Sequence, residues 1–420
     1  MKTRNLIWLM MPFLLFSCDK QVTGVNGTEP ESEQELPDVS FVMTKSQEDF
    51  VADNNAFAFD LLSYVMNDKS ASDDFVVSPL SVSFVFNALA NGAQGQTRSQ
   101  IIDALGYDGI DLNQVNDYSK MLIEGCGAVD RKVTVGINNA LFVNKDYTLK
   151  TAFSQNLDNY YGAFVASADF ADPSALKTIN DWCNEKSSGL IPTMIDNLSP
   201  QAAMCALNCM YFKGRWKAEF SPSLTKDGEF TDIDGMKHQV SMMSKKYNPL
   251  RYVSNDKFQA VSLPFGRGMY RMYVILPTTG NNVFTVAEAL NAEAWNTALS
   301  AMKTAKVNLM LPKFETETSL DLTEILKSAG MSDAFDASKA DFSGMTEGQK
   351  QIYLSLVKQN GRIRIDEEGA EAAAITAVVM DGAGIITGDP VEFHADRPFI
   401  YLIQESSSGA VFFVGVKGKA

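Results

Sequence analysis

Residues 367–384 read EEGAEAAAITAVVMDGAG, a segment whose two faces differ in polarity when it is extended. Alternate residues of a strand point to opposite faces. The uncharged face carries Ala370, Ala372, Ala374, Thr376, Val378 and Met380. The opposite face carries both acidic groups, Glu371 and Asp381. This alternation is typical of a strand with one buried face.

Two other signals in the same segment point elsewhere. Gly369 precedes the alternating run, and Gly382, Gly384 and Gly388 follow it, as in a loop. Alanine and glutamate also favour helices, so propensity alone predicts a helix for the alanine-rich part. Local residues therefore leave strand, loop and helix open.

Composition places the chain among globular proteins. It has 420 residues, of which 45% are hydrophobic and 21% charged, enough for a sizeable core. The formal net charge is −15, and the longest basic run is Lys245-Lys246. Nucleic-acid binding needs clustered basic groups, so we expect no nucleic-acid partner.

The N-terminus has the pattern of an export signal. Residues 1–17, MKTRNLIWLMMPFLLFS, combine two basic residues with an apolar run too short to span a membrane. Leu15-Phe16-Ser17 before Cys18 resemble the lipobox of bacterial lipoproteins, in which the cysteine is lipidated. The alternative is an ordinary signal peptide with an incidental cysteine.

These features predict three segments. A lipoprotein signal peptide covers residues 1–17, a polar flexible tether covers residues 18–45, and one folded domain covers residues 46–420. The predicted location follows from Cys18: export across the inner membrane and a lipid anchor in the bacterial cell envelope, with the outer membrane as the expected site.

The cysteines and histidines are few. Cys205 and Cys209 would share one strand face about 13 Å apart, too far for a disulfide. Buried free thiols are favoured for Cys126, Cys183, Cys205 and Cys209, with a disulfide to Cys126 or Cys183 left open. His238, in a segment expected to be a charged loop, and His394 are too few for a metal site or a hydrolase.

Hydrophobic periodicity indicates an α+β fold, with helices first and large sheets after. Helices are predicted in residues 57–66, 79–91, 97–106, 153–163 and 174–186, with Pro79 in a first turn. Strands are predicted in residues 133–144, 203–216, 259–277 and 306–318, and a final hairpin turns at Ser406–Gly409.

Five segments, in order along more than three hundred residues, resemble the serpin family. They are DFVVSPLSVSFVFNALANGAQGQTRSQ (74–100), INDWCNEKSSGLI (179–191), LNCMYFKGRW (207–216), IDEEGAEAAA (365–374) and FHADRPFIYLI (393–403). The chain is identified as a member of this family on these motifs. The resemblance implies large mixed and antiparallel sheets and an exposed reactive-centre loop that becomes a strand after cleavage, which would explain the alternation in residues 370–380.

The resemblance also implies site residues. The hinge would be Glu367, Glu368, Gly369, Ala370, Glu371, Ala372, Ala373 and Ala374. The reactive bond would be Ala383–Gly384, with Val379, Met380 or Asp381 as register alternatives. The gate of the main sheet would be Ser78, Ser81, Asn208, Gln359 and Trp216, where Gln359 replaces a histidine common in the family and can still donate and accept hydrogen bonds.

The function implied is suicide inhibition of serine proteases in covalent 1:1 complexes, without enzymatic activity, cofactor or metal. Elastase-like or subtilisin-like targets are expected, because Ala383 is small and no Lys or Arg lies between Gly369 and Gly388. A non-inhibitory serpin that binds or carries a ligand is the alternative, and a generic ligand-binding lipoprotein is a weaker one.

Overall fold

The computed structural model describes residues 39–68, 71–107, 109–348, 350–370 and 388–420. The predicted signal peptide, most of the tether with Cys18, and the loop residues 371–387 lie outside the described residues. The predicted bond Ala383–Gly384, its register alternatives and the hinge residues Glu371 to Ala374 fall in that loop. The chain from Asp38 to Ala420 forms one compact unit, whereas the predicted domain bounds stay a prediction.

The helices begin at side chains that cap them. Thr44 forms a capping box with Gln47, and Ser78 caps the helix that starts at Pro79 as predicted. The described helices are α1 (Lys45–Asn67), α2 (Pro79–Ala90), α3 (Gly95–Ala104), α4 (Leu112–Gly125), α5 (Thr151–Tyr161), α6 (Pro173–Lys186), α7 (Val283–Ala289), α8 (Ala292–Ala301) and α9 (Thr323–Leu326). None of these helices is long and apolar enough to cross a bilayer.

Strands make up most of the regular structure in the second half of the chain. The described strands are β1 (Phe75–Val77), β2 (Val133–Asn144), β3 (Phe164–Ala168), β4 (Met204–Arg215), β5 (Lys226–Thr231), β6 (Lys237–Ser254), β7 (Phe258–Pro264), β8 (Tyr270–Pro277), β9 (Lys303–Pro312), β10 (Phe314–Asp321), β11 (Leu354–Ile365), β12 (Gly369–Ala370), β13 (Val391–His394), β14 (Phe399–Glu405) and β15 (Val411–Lys417). The predicted α+β class is confirmed.

Two mixed sheets are formed by the described strands. The larger has nine strands in the order β1-β15-β14-β8-β7-β6-β9-β13, with β5 paired to β6. The smaller has six strands in the order β10-β11-β12-β4-β2-β3, and β11 also pairs directly with β4. The predicted hairpin is β14–β15, where the Glu405 carboxylate accepts hydrogen bonds from the backbone N–H groups of Ser407 and Ser408.

The six-stranded sheet buries both of its faces. On β4, Met204, Ala206, Met210 and Phe212 belong to the main core. The alternate residues Cys205, Leu207 and Cys209 belong to a second cluster together with Ile179 and Cys183 of α6. A continuous apolar run in β4 is the expected sequence of a strand covered on both faces.

One local expectation was wrong. His238 lies in the long strand β6 and not in a loop. Its ring nitrogen Nε2 lies 3.0 Å from Oδ2 of the buried Asp232. Exposed and partly buried residues are mixed along β6, and neither face is consistently apolar. The sequence therefore shows no clear strand pattern there.

Candidate functional site

Gly369 and Ala370, which form β12, lie between β4 and β11, the two central strands of the six-stranded sheet. Strands β4 and β11 run parallel and pair from Met204 opposite Leu354 to Tyr211 opposite Arg362. Beyond that point β12 lies between them and is antiparallel to both. We call the boundary between β4 and β11 the seam, which is closed along most of its length and occupied by β12 at one end.

Position 369, at the entrance to the seam, requires a glycine. Its φ is +147°, outside the region that other residues readily adopt. A Cβ atom there would lie 2.1 Å from the carbonyl oxygen of Gly214 and 2.6 Å from Cα of Arg215. Ala370, which follows, is fully buried and lies opposite Gly214. Only small residues fit this end of the seam.

The turn that leads into β12 is fixed by hydrogen bonds to its backbone. The Asp366 side chain accepts from the N–H groups of Glu368 and Gly369 at 2.9 and 3.3 Å. The indole Nε1 of Trp216 donates to the carbonyl of Asp366 at 2.9 Å, and the backbone N–H of Trp216 donates to the carbonyl of Glu368 at 2.8 Å. Trp216 also stacks on Phe265 with ring centroids 4.2 Å apart.

Glu367 anchors the same turn through its side chain. The hydroxyl of Thr225 donates to Oε1 at 2.7 Å, and Nζ of Lys313 lies 2.7 Å from Oε2. Burial alone would raise the pKa of Glu367, but the hydrogen bonds from Lys313 and Thr225 outweigh it, so the pKa lies below its ordinary value of 4.5. Because the folded pKa is the lower one, the anchor stabilises the hinge above pH 4.5 and is lost as the pH falls through the lowered pKa.

A buried polar cluster lies midway along the seam. Gln359 on β11 is directly opposite Asn208 on β4, and its Nε2 donates to Asn208 Oδ1 at 2.9 Å. Gln359 also accepts from the N–H of Ser78 at 2.9 Å and donates to its carbonyl at 3.1 Å. Asn208 Nδ2 donates to Ser81 and to Asn139, the latter at 2.7 Å. We call Ser78, Ser81, Asn139, Asn208 and Gln359 the gate cluster.

The gate cluster joins both central strands to the first turn of α2. Every member is buried, so each lost hydrogen bond would leave a polar group without water. A strand inserted into the seam would have to separate Gln359 from Asn208. The cluster therefore stabilises the closed seam.

The opposite face of the sheet carries a second bridge over the seam. Residues 187–203, here called the connector, lead from α6 to β4. Asn360 on β11 donates to the carbonyl of Thr193 at 3.0 Å, and Arg362 donates to the carbonyl of Leu190 at 3.5 Å. Asn180 on α6 accepts from the N–H groups of Met194 and Ile195 in the connector. The connector thus holds α6 to the far side of the seam.

Replacing Gln359 with leucine should lower the thermal midpoint of the intact protein by several degrees. Leucine keeps the volume but leaves the Ser78 backbone and Asn208 Oδ1 without partners, which costs about 2–4 kcal/mol. Circular dichroism melting measures the shift. Gln239→Leu on the exposed side of β6 is the matched control and should change stability by less than about 0.5 kcal/mol. Equal midpoints for the two variants would contradict the importance of the cluster.

The structure brings four of the five predicted gate residues together: Ser78, Ser81, Asn208 and Gln359. Trp216 lies instead at the hinge turn, and Glu367, Glu368, Gly369 and Ala370 of the predicted hinge form or follow that turn. Their functional roles stay predictions.

Sequence reasoning missed Asn139, Lys313 and Thr225. Adjacent polar residues inside an otherwise apolar strand were a usable signal for Asn139. Lys313 and Thr225 join Glu367 only through the tertiary fold, so no local pattern marks them.

The histidines have carboxylate partners, Asp232 for His238 and Glu392 for His394. Among the described residues, no group of three or more His, Cys, Asp or Glu side chains is arranged to hold a metal ion. The four cysteines in the described ranges are buried free thiols, as favoured above.

Comparison with known proteins agrees with this geometry. The model of the serpin (serine protease inhibitor) family matches residues 52–417. The leukocyte elastase inhibitor of Bos taurus is 33% identical over 383 residues, which cover 88% of this chain and 98% of the bovine protein.

Two solved structures are similar over most of the chain. The native thermophilic serpin tengpin has a TM-score of 0.82 and 26% identity, covering 91% of this chain and 96% of tengpin. The complex of human thyroxine-binding globulin with thyroxine has a TM-score of 0.80 and 25% identity, and the match covers 89% of this chain and 100% of the globulin. With a family match over residues 52–417 and a seam that receives the hinge between β4 and β11, this chain belongs to the serpin family of serine protease inhibitors.

Proposed function

We propose that this protein is a suicide-type inhibitor that traps elastase-like or subtilisin-like serine proteases as covalent 1:1 acyl-enzyme complexes. The protease would cut the loop at Ala383–Gly384, and the freed hinge side of the loop would enter the seam as a new strand. This insertion would carry the attached protease away before the acyl bond is hydrolysed. The protein itself would catalyse no turnover and need no cofactor.

The observation that carries the proposal is the register of β12. Ala370 is opposite Gly214 on β4 and opposite Ile365 on β11. Continued along either strand, these antiparallel registers would bring Thr376 opposite Asn208 and opposite Gln359. Those two residues already face each other across the closed seam, so one inserted strand satisfies both neighbours without a shift.

The same register explains the small residues of the hinge. Ala372 would lie opposite Phe212 and Ile363, and Ala374 opposite Met210 and Gly361. Phe212, Ile363 and Met210 belong to the main core, so alanine adds little volume where the seam must open. About fourteen inserted residues would move the protease by roughly 45–50 Å.

The expected target class follows from the predicted cleavage site. Ala383 and the neighbouring small or apolar residues suit proteases with shallow specificity pockets, and the absence of Lys and Arg between Gly369 and Gly388 disfavours trypsin-like enzymes. The similarity to a protein named leukocyte elastase inhibitor supports this choice.

Incubation with a neutrophil-type elastase tests the proposal. We expect an SDS-stable complex whose mass is the sum of both proteins less the released C-terminal peptide, and a peptide that begins at Gly384. The same elastase with its active serine blocked by a sulfonyl fluoride is the control and should form no complex.

A second outcome would favour the carrier alternative. If active elastase and subtilisin both convert the protein completely to a nicked form without a covalent complex, the inhibitor proposal is wrong. The similarity to thyroxine-binding globulin would then support a role in binding or carrying a ligand. Gly369 and Ala370 are small enough to enter the seam, which favours the inhibitor function over the carrier function.

We also propose that the inhibitor is a lipoprotein of the bacterial cell envelope, anchored in the outer membrane through Cys18. The support is the lipobox-like sequence Leu15-Phe16-Ser17 before that cysteine. The polar segment that follows would hold the inhibitor away from the membrane.

Replacing Cys18 with alanine should release the protein from the membrane fraction, because the lipid is the proposed attachment. Fractionation, together with the mass of the N-terminal peptide, measures the effect. A mutant that stays in the membrane fraction, alongside a wild type without lipid mass, would contradict the anchor. Ser32→Thr in the predicted tether keeps both the lipobox-like sequence and the cysteine and serves as the control.

A further inference from the structure

Two buried cysteines lie next to each other between α6 and β4. Cys183 of α6 and Cys209 of β4 are both fully buried in the second cluster. Sγ of Cys209 lies 3.7 Å from the carbonyl oxygen of Cys183, and Sγ of Cys183 lies 3.8 Å from Sδ of Met194 in the connector. Both are unoxidised in the structure. This contact is therefore a place where a covalent link between the helix and the sheet could form.

The link would tie down a part of the molecule that covers the seam. The connector that follows α6 is hydrogen bonded to Asn360 and Arg362 on β11, across the seam from Cys209. A strand that enters the seam has to pass beneath the connector, so α6 and the connector must lift and then close again. A bond from Cys183 to Cys209 would oppose that lifting.

We propose that Cys183 and Cys209 form a reversible disulfide that fixes α6 to β4 and switches the protein from inhibitor to protease substrate. The effect on inhibition rests on the function proposed above, whereas the disulfide itself does not. The oxidant that forms this disulfide is a peroxide.

The chemistry takes two steps. Hydrogen peroxide oxidises one thiol to a sulfenic acid and releases one water. The second thiol then attacks the sulfenic sulfur, the S–S bond forms, and the hydroxyl leaves with the thiol proton as a second water. Two electrons pass from the sulfurs to the peroxide, and a dithiol reductant reverses the change.

The closed protein protects the pair. The neighbouring Cys183 side chain and burial raise the pKa of Cys209, and the thiolate is the reactive form. Oxidation therefore requires α6 to lift from the sheet, which is the same movement that insertion requires. Once the disulfide has formed, the sulfurs are held about 2.05 Å apart and the movement is restrained.

Peroxide treatment of the full-length protein, followed by alkylation and a non-reducing peptide map, tests the link. We expect a cross-linked pair of peptides containing Cys183 and Cys209, and a loss of two alkylatable thiols that dithiothreitol restores. A map in which this pair is absent after the peroxide treatment overturns the proposal, whatever the protein does to proteases.

The consequence is tested by the yield of SDS-stable complex with elastase before and after oxidation. We expect a several-fold fall in complex and a matching rise in nicked protein, both reversed by dithiothreitol. Cys183→Ala and Cys209→Ala should abolish this response, while Cys126→Ala should keep it.

Two outcomes separate the proposals. A cross-linked protein that forms as much complex as the reduced protein overturns the switch and leaves the inhibitor function intact. If the reduced protein forms no complex with elastase or subtilisin, the function fails, and the peptide map alone still decides whether the disulfide exists.

Discussion

Replacing Ala372 with arginine is expected to convert the protein from an inhibitor into a substrate of the same protease. In the proposed register residue 372 lies opposite Phe212 and Ile363, which are each 2% exposed. An arginine there would bury an unpaired charge, at a cost of several kcal/mol. Insertion would then be slower than hydrolysis of the acyl bond. The cleavage site would be unchanged, so gel electrophoresis should show nicked protein cut at the same bond and little covalent complex.

Ala373→Arg is the matched control, because it introduces the same charge one residue further along. In the same register residue 373 lies opposite Tyr211 and Arg362, which are both only partly buried. Its side chain can reach solvent, and most of the complex yield should remain. Equal yields from the two variants, or greater damage from Ala373→Arg, would refute the alternating insertion of this segment.

Cleavage near Ala383 is expected to raise the melting temperature by tens of degrees. In the intact protein most of the seam holds no inserted strand, and the gate cluster and connector close it. After cleavage the inserted strand would pair with β4 and β11 along its length and bury its alanine face, so each new backbone hydrogen bond would add about 0.5–1.5 kcal/mol. Calorimetry of intact and nicked protein measures the difference.

The Ala372→Arg variant also supplies the control for this experiment. Nicked at the same bond, it should gain much less stability, because its loop enters the seam poorly. If wild-type protein melts at the same temperature before and after nicking, the cleaved form is no more stable than the intact form. The insertion mechanism then does not operate in this chain.

Much of the fold could be predicted from local patterns. Pro79 after Ser78 marks the start of α2, and the apolar runs of β2 and β4 mark strands covered on both faces. The alternation from Ala370 onward is likewise local, and it predicted a strand as one of three possibilities. Local patterns did not choose among them, since only the family resemblance implied a segment that is exposed first and inserted later.

Other features were hidden because their causes are not local. Strand β6 pairs with β5, β7 and β9 at different points along its length, and both its faces are partly exposed, so it has no clear period. The contacts of Glu367 with Thr225 and Lys313 join residues far apart in the chain. The bridge from Asn360 to Thr193 depends on where the connector crosses the sheet.

The pairing of β1 with β15 has a consequence for how this protein is made. Phe75 lies opposite Val416, and Nζ of the buried Lys417 lies 2.5 Å from Oδ2 of Asp74, so the first described strand pairs with the last one. The ribosome must therefore have synthesised the chain through β15 before this edge of the larger sheet can form. Such distant pairing slows folding and would keep the nascent chain unfolded for longer, which is the state that the export proposed above requires.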